Sequence, residues 1–123
     1  MQTREQHFAA RVYKTVAAHK GQYNDADRNK YGSMAHKLPV LIRSAGLAQA
    51  LEFVATRPDA QKDIYTDLEQ VLGLSDLRER SREAELAEYM WLTQETLAAL
   101  LWFKRYAESV LGVTAEMEGG SNA

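Results

Sequence analysis

From Arg28 to Leu51 the chain carries no acidic side chain, the longest such run in the sequence, and within it apolar residues recur at helical spacing. Tyr31, Met34, Leu38, Leu41, Ile42 and Ala45 fall on one face of a helical wheel, the pattern of an amphipathic helix with a core-facing stripe. Lys30 and Lys37 flank that stripe on one side, His36 and Arg43 on the other. Pro39 sits inside the pattern, where its missing N–H releases the carbonyl of Ala35 and its ring bends the helix. Gly46 is placed to stop the helix, and Leu47 starts another at an angle. On pattern alone this is a kinked central core helix and its C-cap, and the rest of the chain supplies elements to pack around it.

Upstream, a first helix is expected from Gln2 or Thr3 to Lys20, with Thr3 as N-cap, Gly21 as stop, and a stripe of Phe8, Val12 and Val16. Arg4, His7, Arg11 and Lys14 recur nearly opposite that stripe. Such a row either tracks successive phosphates of a nucleic acid or is an ordinary solvated face. Asn24 or Asp25 caps the central helix. Downstream, a short helix from Leu47 to about Thr56 buries Leu47, Ala50, Leu51 and Val54, and ends at Arg57-Pro58 because the residue before proline is pushed out of the α region. A helix from Asp59 to Leu72 follows, burying Ala60, Ile64, Leu68 and Val71. Its Asp59, Asp63 and Asp67 repeat by four. The repeat hints at a cation site, but no histidine or second carboxylate helix is evident beside it, so no metal site is expected.

Gly73 closes that helix and Ser75 is a candidate cap for the next. Residues 78–85, Arg-Glu-Arg-Ser-Arg-Glu-Ala-Glu, are either a salt-bridge-laced helix or a broken turn. Leu86, Ala87, Met90 and Trp91 are expected to restore a buried face. Thr93 is expected to cap a last helix, Gln94 to about Leu111, with Leu92 and Leu97 as a hydrophobic staple. That helix is apolar over more than half its circumference, through Ala99, Leu100, Trp102, Phe103, Tyr106, Ala107, Val110 and Leu111, which marks it as the most buried. Lys104, Arg105 and Glu108 share the remaining face with Leu97 and Leu101, leaving apolar surface there for a partner. Gly112 ends the fold. No stretch alternates as a strand does. The expected fold is all-α, a compact single-domain bundle of about six helices over residues 1–112, with a disordered tail over 113–123.

A chain of 123 residues with 46% hydrophobic and 26% charged residues can bury a core without staples. The absence of cysteine removes disulfides, thiolate nucleophiles and cysteine-ligated zinc. With neither a signal-like start nor a long apolar run, the chain is expected to be soluble and cytoplasmic, with no membrane partner. The net charge of −2 hides an asymmetry: residues 1–57 hold nine Lys and Arg against four acids, while residues 58–123 hold six against thirteen. The basic half can face nucleic acid and the acidic half a neighbouring copy, or the two halves can simply fold against each other. Histidines 7, 19 and 36 belong to no metalloprotease pattern, and phosphate-loop, dinucleotide and nucleophile-elbow motifs are absent. Neither catalysis nor a cofactor is expected.

Two blocks carry a resemblance. Tyr31-Gly32, Leu38-Pro39, Ile42-Arg43 and Gly46-Leu47-Ala48-Gln49-Ala50-Leu51-Glu52-Phe53 form one, and Leu92-Thr93 with Trp102-Phe103-Lys104-Arg105-Tyr106-Ala107 the other. Together they resemble the small helical subunit of the type III-B CRISPR (Cmr) RNA-targeting effector complex, over about Lys14 to Leu111. The resemblance implies a non-catalytic protein that assembles in several copies along a ribonucleoprotein filament, with the other Cmr subunits, guide RNA and target RNA as partners. RNA cleavage would belong to the backbone subunit. Candidate RNA-contacting residues are Arg4, Arg11, Lys14, Lys30, Lys37, Arg43, Lys104 and Arg105. Only Arg43, Lys104 and Arg105 fall in the resembling blocks; the others come from helix faces. The alternative is a helical protein–protein adaptor without RNA contact, using exposed Val40, Leu97, Leu101 and a tryptophan.

Overall fold

A computed structural model describes residues 1–115 and contains six helices. They are α1 (Arg4–Gln22), α2 (Asp25–Ala45), α3 (Leu47–Ala55), α4 (Asp59–Leu72), α5 (Leu77–Glu83) and α6 (Leu86–Ser109). No strand occurs among the described residues. The first two helices start as their sequences dictate. Thr3 accepts from the Gln6 N–H while the Gln6 side chain accepts from the Thr3 N–H, a reciprocal capping box. Asn24 accepts from the Asp27 N–H at 2.8 Å. α1 runs past Gly21 to Gln22, because the Tyr23 N–H still bonds to the His19 carbonyl.

α2 passes through Pro39 as one helix and is the centre of the bundle, packed against α3, α4 and α6. Tyr31, Met34, Ala35, Leu38 and Ile42 are buried on it, whereas Ala45, expected on the same face, is exposed at the last turn. Gly46 (φ 91°) joins α2 to α3, and the Tyr89 hydroxyl of α6 accepts from the Ala48 N–H at 3.1 Å, serving one of the free donors of the α3 start. α4 buries Ala60, Ile64, Leu68 and Val71 as its spacing requires. Residues 77–83 form a true helix, preceded by Asp76 rather than by the Ser75 cap expected from sequence. Tyr65 and Glu69 of α4 hold its start by accepting from the Arg78 and Leu77 N–H groups.

Three expectations are overturned in the C-terminal third. Thr93 caps nothing: α6 is continuous from Leu86, and the Thr93 hydroxyl donates to the Tyr89 carbonyl inside it. Leu86, Ala87, Met90 and Trp91 form no buried face; all four are exposed, because the first turns of α6 turn Tyr89 and Leu92 rather than these residues toward the bundle. The fold also continues beyond Gly112. Gly112 adopts the left-handed conformation (φ 72°) and its N–H bonds to the Glu108 carbonyl at 3.2 Å, an αL closure, while the Val113 N–H bonds to the Ala107 carbonyl at 2.8 Å and Val113 turns back onto the bundle. Val113 is buried, and its carbonyl accepts from His36 Nε2 at 2.9 Å. Val113 therefore belongs to the bundle and not to a tail; residues 116–123 of the segment expected to be disordered lie outside the described residues.

Gly32 explains the fit. A Cβ there would lie 2.5–2.8 Å from the Val113 side chain, closer than carbon atoms approach. Gly32→Ala is expected to destabilise the protein by about 1–3 kcal/mol in urea unfolding. Adding Val113→Ala should recover part of that loss, since the second truncation makes room for the first; strictly additive losses would contradict the close approach.

Candidate functional site

A cluster of hydrogen-bonded polar side chains forms where α1, α2 and α4 meet, around the buried Asp67. Asp67 sits on the inner side of α4, and one of its carboxylate oxygens accepts from the Tyr31 hydroxyl at 2.6 Å and lies 2.7 Å from His19 Nε2. Tyr23 donates to Asp63 one turn away, and the His19 ring stacks on Tyr23 with centroids 4.5 Å apart. Lys30 pairs with Asp59 at 3.1 Å. The repeating aspartates of α4 are thus each met by a side chain from the preceding helices. A histidine does stand beside them, contrary to the expectation. Among the described residues no three His, Asp or Glu side chains come together to hold an ion.

This arrangement holds phenols neutral. Burial, and then the charge of Asp67, push the Tyr31 hydroxyl well above the ordinary tyrosine value. Burial and the hydrogen bond to Asp63 push Tyr23 up strongly, and burial raises Tyr65 to about 12. With folded values above the unfolded value of about 10, the unfolded chain loses protons first as the solution becomes alkaline, so stability falls with rising pH. Native-state tyrosinate absorbance should therefore lag that of the unfolded chain, and unfolding free energy should decline from about pH 10 upward. Tyr31→Phe should reduce that decline and, by leaving Asp67 short of a donor, cost about 1–3 kcal/mol at neutral pH. A stability curve equally steep in the variant would show that Tyr31 is not a source of the decline.

The eight candidate cations do not form one row. Arg4 pairs with Glu95 of α6 and lies over the Phe8 ring, while Arg11 donates to the Val71 carbonyl of α4 at 3.1 Å. Both therefore tie α1 to its neighbours. Lys14 is exposed beside Arg11 in a shallow cleft that Thr15, Gln70 and Val71 complete. Lys30 and Lys37 lie on the other flank of α2, where Lys37 Nζ stands 5.7 Å from the Phe53 ring centroid. Arg57, which the sequence did not nominate, covers the same ring at 4.5 Å; its place four residues after Phe53 was the available signal. Arg43 shares its flank of α2 with His36, which approaches Glu108 of α6 at 3.9 Å, so that flank faces the half of α6 that carries Lys104 and Arg105. Lys14, Arg43, Lys104 and Arg105 are exposed and have no ion-pair or hydrogen-bond partner among the described residues. Val40, one turn from His36, and Leu101 are exposed, and Leu97 is half-buried between them and the core.

The fold and these surfaces define a small all-helical protein whose polar interior is committed to its own packing and whose outer faces offer cations and apolar side chains. The family model described as CRISPR-associated protein (Cas_Cmr5) matches residues 4–110. The chain belongs to this Cmr5 family. A curated relative from Thermus thermophilus, named CRISPR system Cmr subunit Cmr5, is 50% identical over 116 residues, covering 90% of this chain and 98% of the relative. The crystal structure of a CRISPR-associated Cmr5 family protein from the same organism superposes with a TM-score of 0.82 at 47% identity, covering 89% of this chain and 98% of the other. The family expected from the two sequence blocks is the one found.

Proposed function

We propose that this chain is a non-catalytic small subunit of a Cmr CRISPR complex, stacking in several copies beside the other Cmr subunits and touching the guide and target RNA through its backbone phosphates. The observation that carries the RNA contact is that four of the eight nominated cations, Lys14, Arg43, Lys104 and Arg105, are exposed and have no partner among the described residues, on a chain whose family is Cmr5. Unpaired cations neutralise phosphates at no cost in broken ion pairs, whereas Arg4, Arg11 and Lys30 would first have to leave their partners. Such contacts position RNA without reading its bases, as suits a subunit beside a guide of variable sequence. The basic first half and acidic second half favour head-to-tail stacking of copies, an open contact that suits a filament. The setting is the cytoplasm; among the described residues no helix is long and apolar enough to cross a membrane.

The second reading is an adaptor without RNA contact, favoured by exposed Val40 and Leu101. The two are separated by reconstituting the complex with variants of this subunit and measuring RNA affinity across a salt series. Arg43→Ala, Lys104→Ala and Arg105→Ala should each weaken RNA binding and lower the slope of log K against log salt by up to about 0.7 per lost phosphate contact. Leu101→Glu should leave that slope unchanged. If the alanine variants have no effect and Leu101→Glu blocks incorporation, the adaptor reading stands instead.

A further inference from the structure

The outer edge of α6 carries a pattern that its place in the bundle does not use. Ala87, Met90, Gln94, Leu97, Leu101 and Lys104 follow one another at alternating spacings of three and four, the seam by which one helix packs along another. No element covers that seam: Leu97 is half-buried and the other five are exposed. Met90 is 52% exposed and Leu101 41%, and beside the seam stand Leu86 at 74%, Trp91 at 49% and, on α2, Val40 at 62%. These are five of the seven large hydrophobic side chains exposed among the described residues, and four of the five are on α6. The core stripe of α6, through Leu92, Thr96, Ala99, Leu100, Phe103 and Ala107, lies on the opposite side, so the helix presents two packing faces and the bundle fills one.

Charge along the seam selects the occupant. Glu83 and Glu85 are exposed just before the first turn of α6, and Lys104 and Arg105 are exposed near its other end; none has a partner among the described residues. Two such edges laid parallel would put like charges together. Laid antiparallel about a two-fold axis between Gln94 and Leu97, they set Met90 against Leu101 and Gln94 against Leu97. Lys104 and Arg105 then come within a turn of the start of the other copy's α6, where Glu85 is the N-cap residue. The antiparallel orientation is thus the one that brings opposite charges together. We propose that two copies of this chain pair antiparallel through the outer edge of α6, with Ala87, Met90, Gln94, Leu97 and Leu101 as the seam.

The seam from Ala87 to Lys104 is about 26 Å long, a small interface, so the pair exchanges readily. Its two-fold symmetry closes on itself and cannot repeat along a filament, which assigns the pairing to the chain outside the complex. The proposal does not rest on RNA contact, and RNA binding left unchanged by the alanine variants above would leave it standing.

The absence of native cysteine makes the register directly measurable. Met90→Cys and Leu101→Cys are prepared separately, their helicity is checked by circular dichroism, and they are oxidised alone and mixed at about 100 µM, a concentration at which a small interface is populated. Antiparallel pairing brings residue 90 of one copy to residue 101 of the other, within disulfide reach. The mixture should therefore yield the 90–101 heterodimer in several-fold excess over either homodimer. Gln94→Cys mixed with Leu97→Cys should do the same, and adding Leu101→Glu to that second pair should abolish the cross-link. Sedimentation of the unmodified chain at the same concentration should show a dimer fraction that Leu101→Glu removes. Predominant 90–90 and 101–101 products, a chain that sediments as monomer and fails to cross-link, or a dimer indifferent to Leu101→Glu would each overturn the proposal.

Discussion

Asp67 is a carboxylate on the buried stripe of an otherwise ordinary helix, and the bundle closes around it. A buried charge is costly unless hydrogen-bonded, and here Tyr31 from α2 and His19 from α1 meet the same oxygen. The hydrophobic effect is non-directional and by itself sets no unique rotation of α2 against α4. A hydroxyl that must reach a carboxylate oxygen at 2.6 Å leaves no such freedom. The apolar core supplies the energy of association and the Asp67 junction fixes how the three helices associate. Tyr23 with Asp63 and Lys30 with Asp59 extend the same pairing along α4 toward the surface.

That rigidity bears on the RNA contact proposed for this Cmr5-family chain. Arg4 and Arg11 brace α1 against α6 and α4, so the exposed Lys14 is carried on a helix held at both sides. Arg43 is fixed relative to Lys104 by the antiparallel packing of α2 on α6, whose far ends are pinned by Tyr89 on Ala48 and by His36 on Val113. Cations whose backbone positions are set by the core would meet a phosphate backbone without rearrangement of the helices that carry them, which confines the ordering cost to the side chains.

The fold was legible in the sequence wherever the signal was local. The caps Thr3 and Asn24, the breaks at Gly46 and Arg57-Pro58, and the stripes of α1, α2 and α4 each lie within a few residues of the feature they specify. The misreadings share the opposite character. Leu86, Met90 and Trp91 have the spacing of a buried face, and periodicity cannot tell a face covered by its own chain from one left open. Thr93 has the chemistry of a cap, yet Tyr89 and Leu92 continue the helix around it. The Val113 closure depends on space left by Gly32, and the His19–Asp67 contact spans residues in different helices; nothing near either residue announces its partner. The candidate surface fared likewise: the sequence nominated cations by helix face, and only the packing shows which of them are spent on Glu95, Val71 and Asp59.

The helix starts divide the chain in a way that bears on its assembly in time. Thr3 and Asn24 give α1 and α2 caps from their own side chains, whereas α3, α4, α5 and α6 begin with none. The start of α3 is served instead by Tyr89, forty-one residues later, and that of α5 by Tyr65 and Glu69 of α4. Helices with local caps have a stabilised first turn before any tertiary contact forms, and those without must borrow it from a neighbour already in place. Residues 3–45, which leave the ribosome before the other described helices, thus carry their own helix starts. The later helices are ordered by docking, and the corner between α2 and α3 is set only when α6, synthesised after both, brings its tyrosine home.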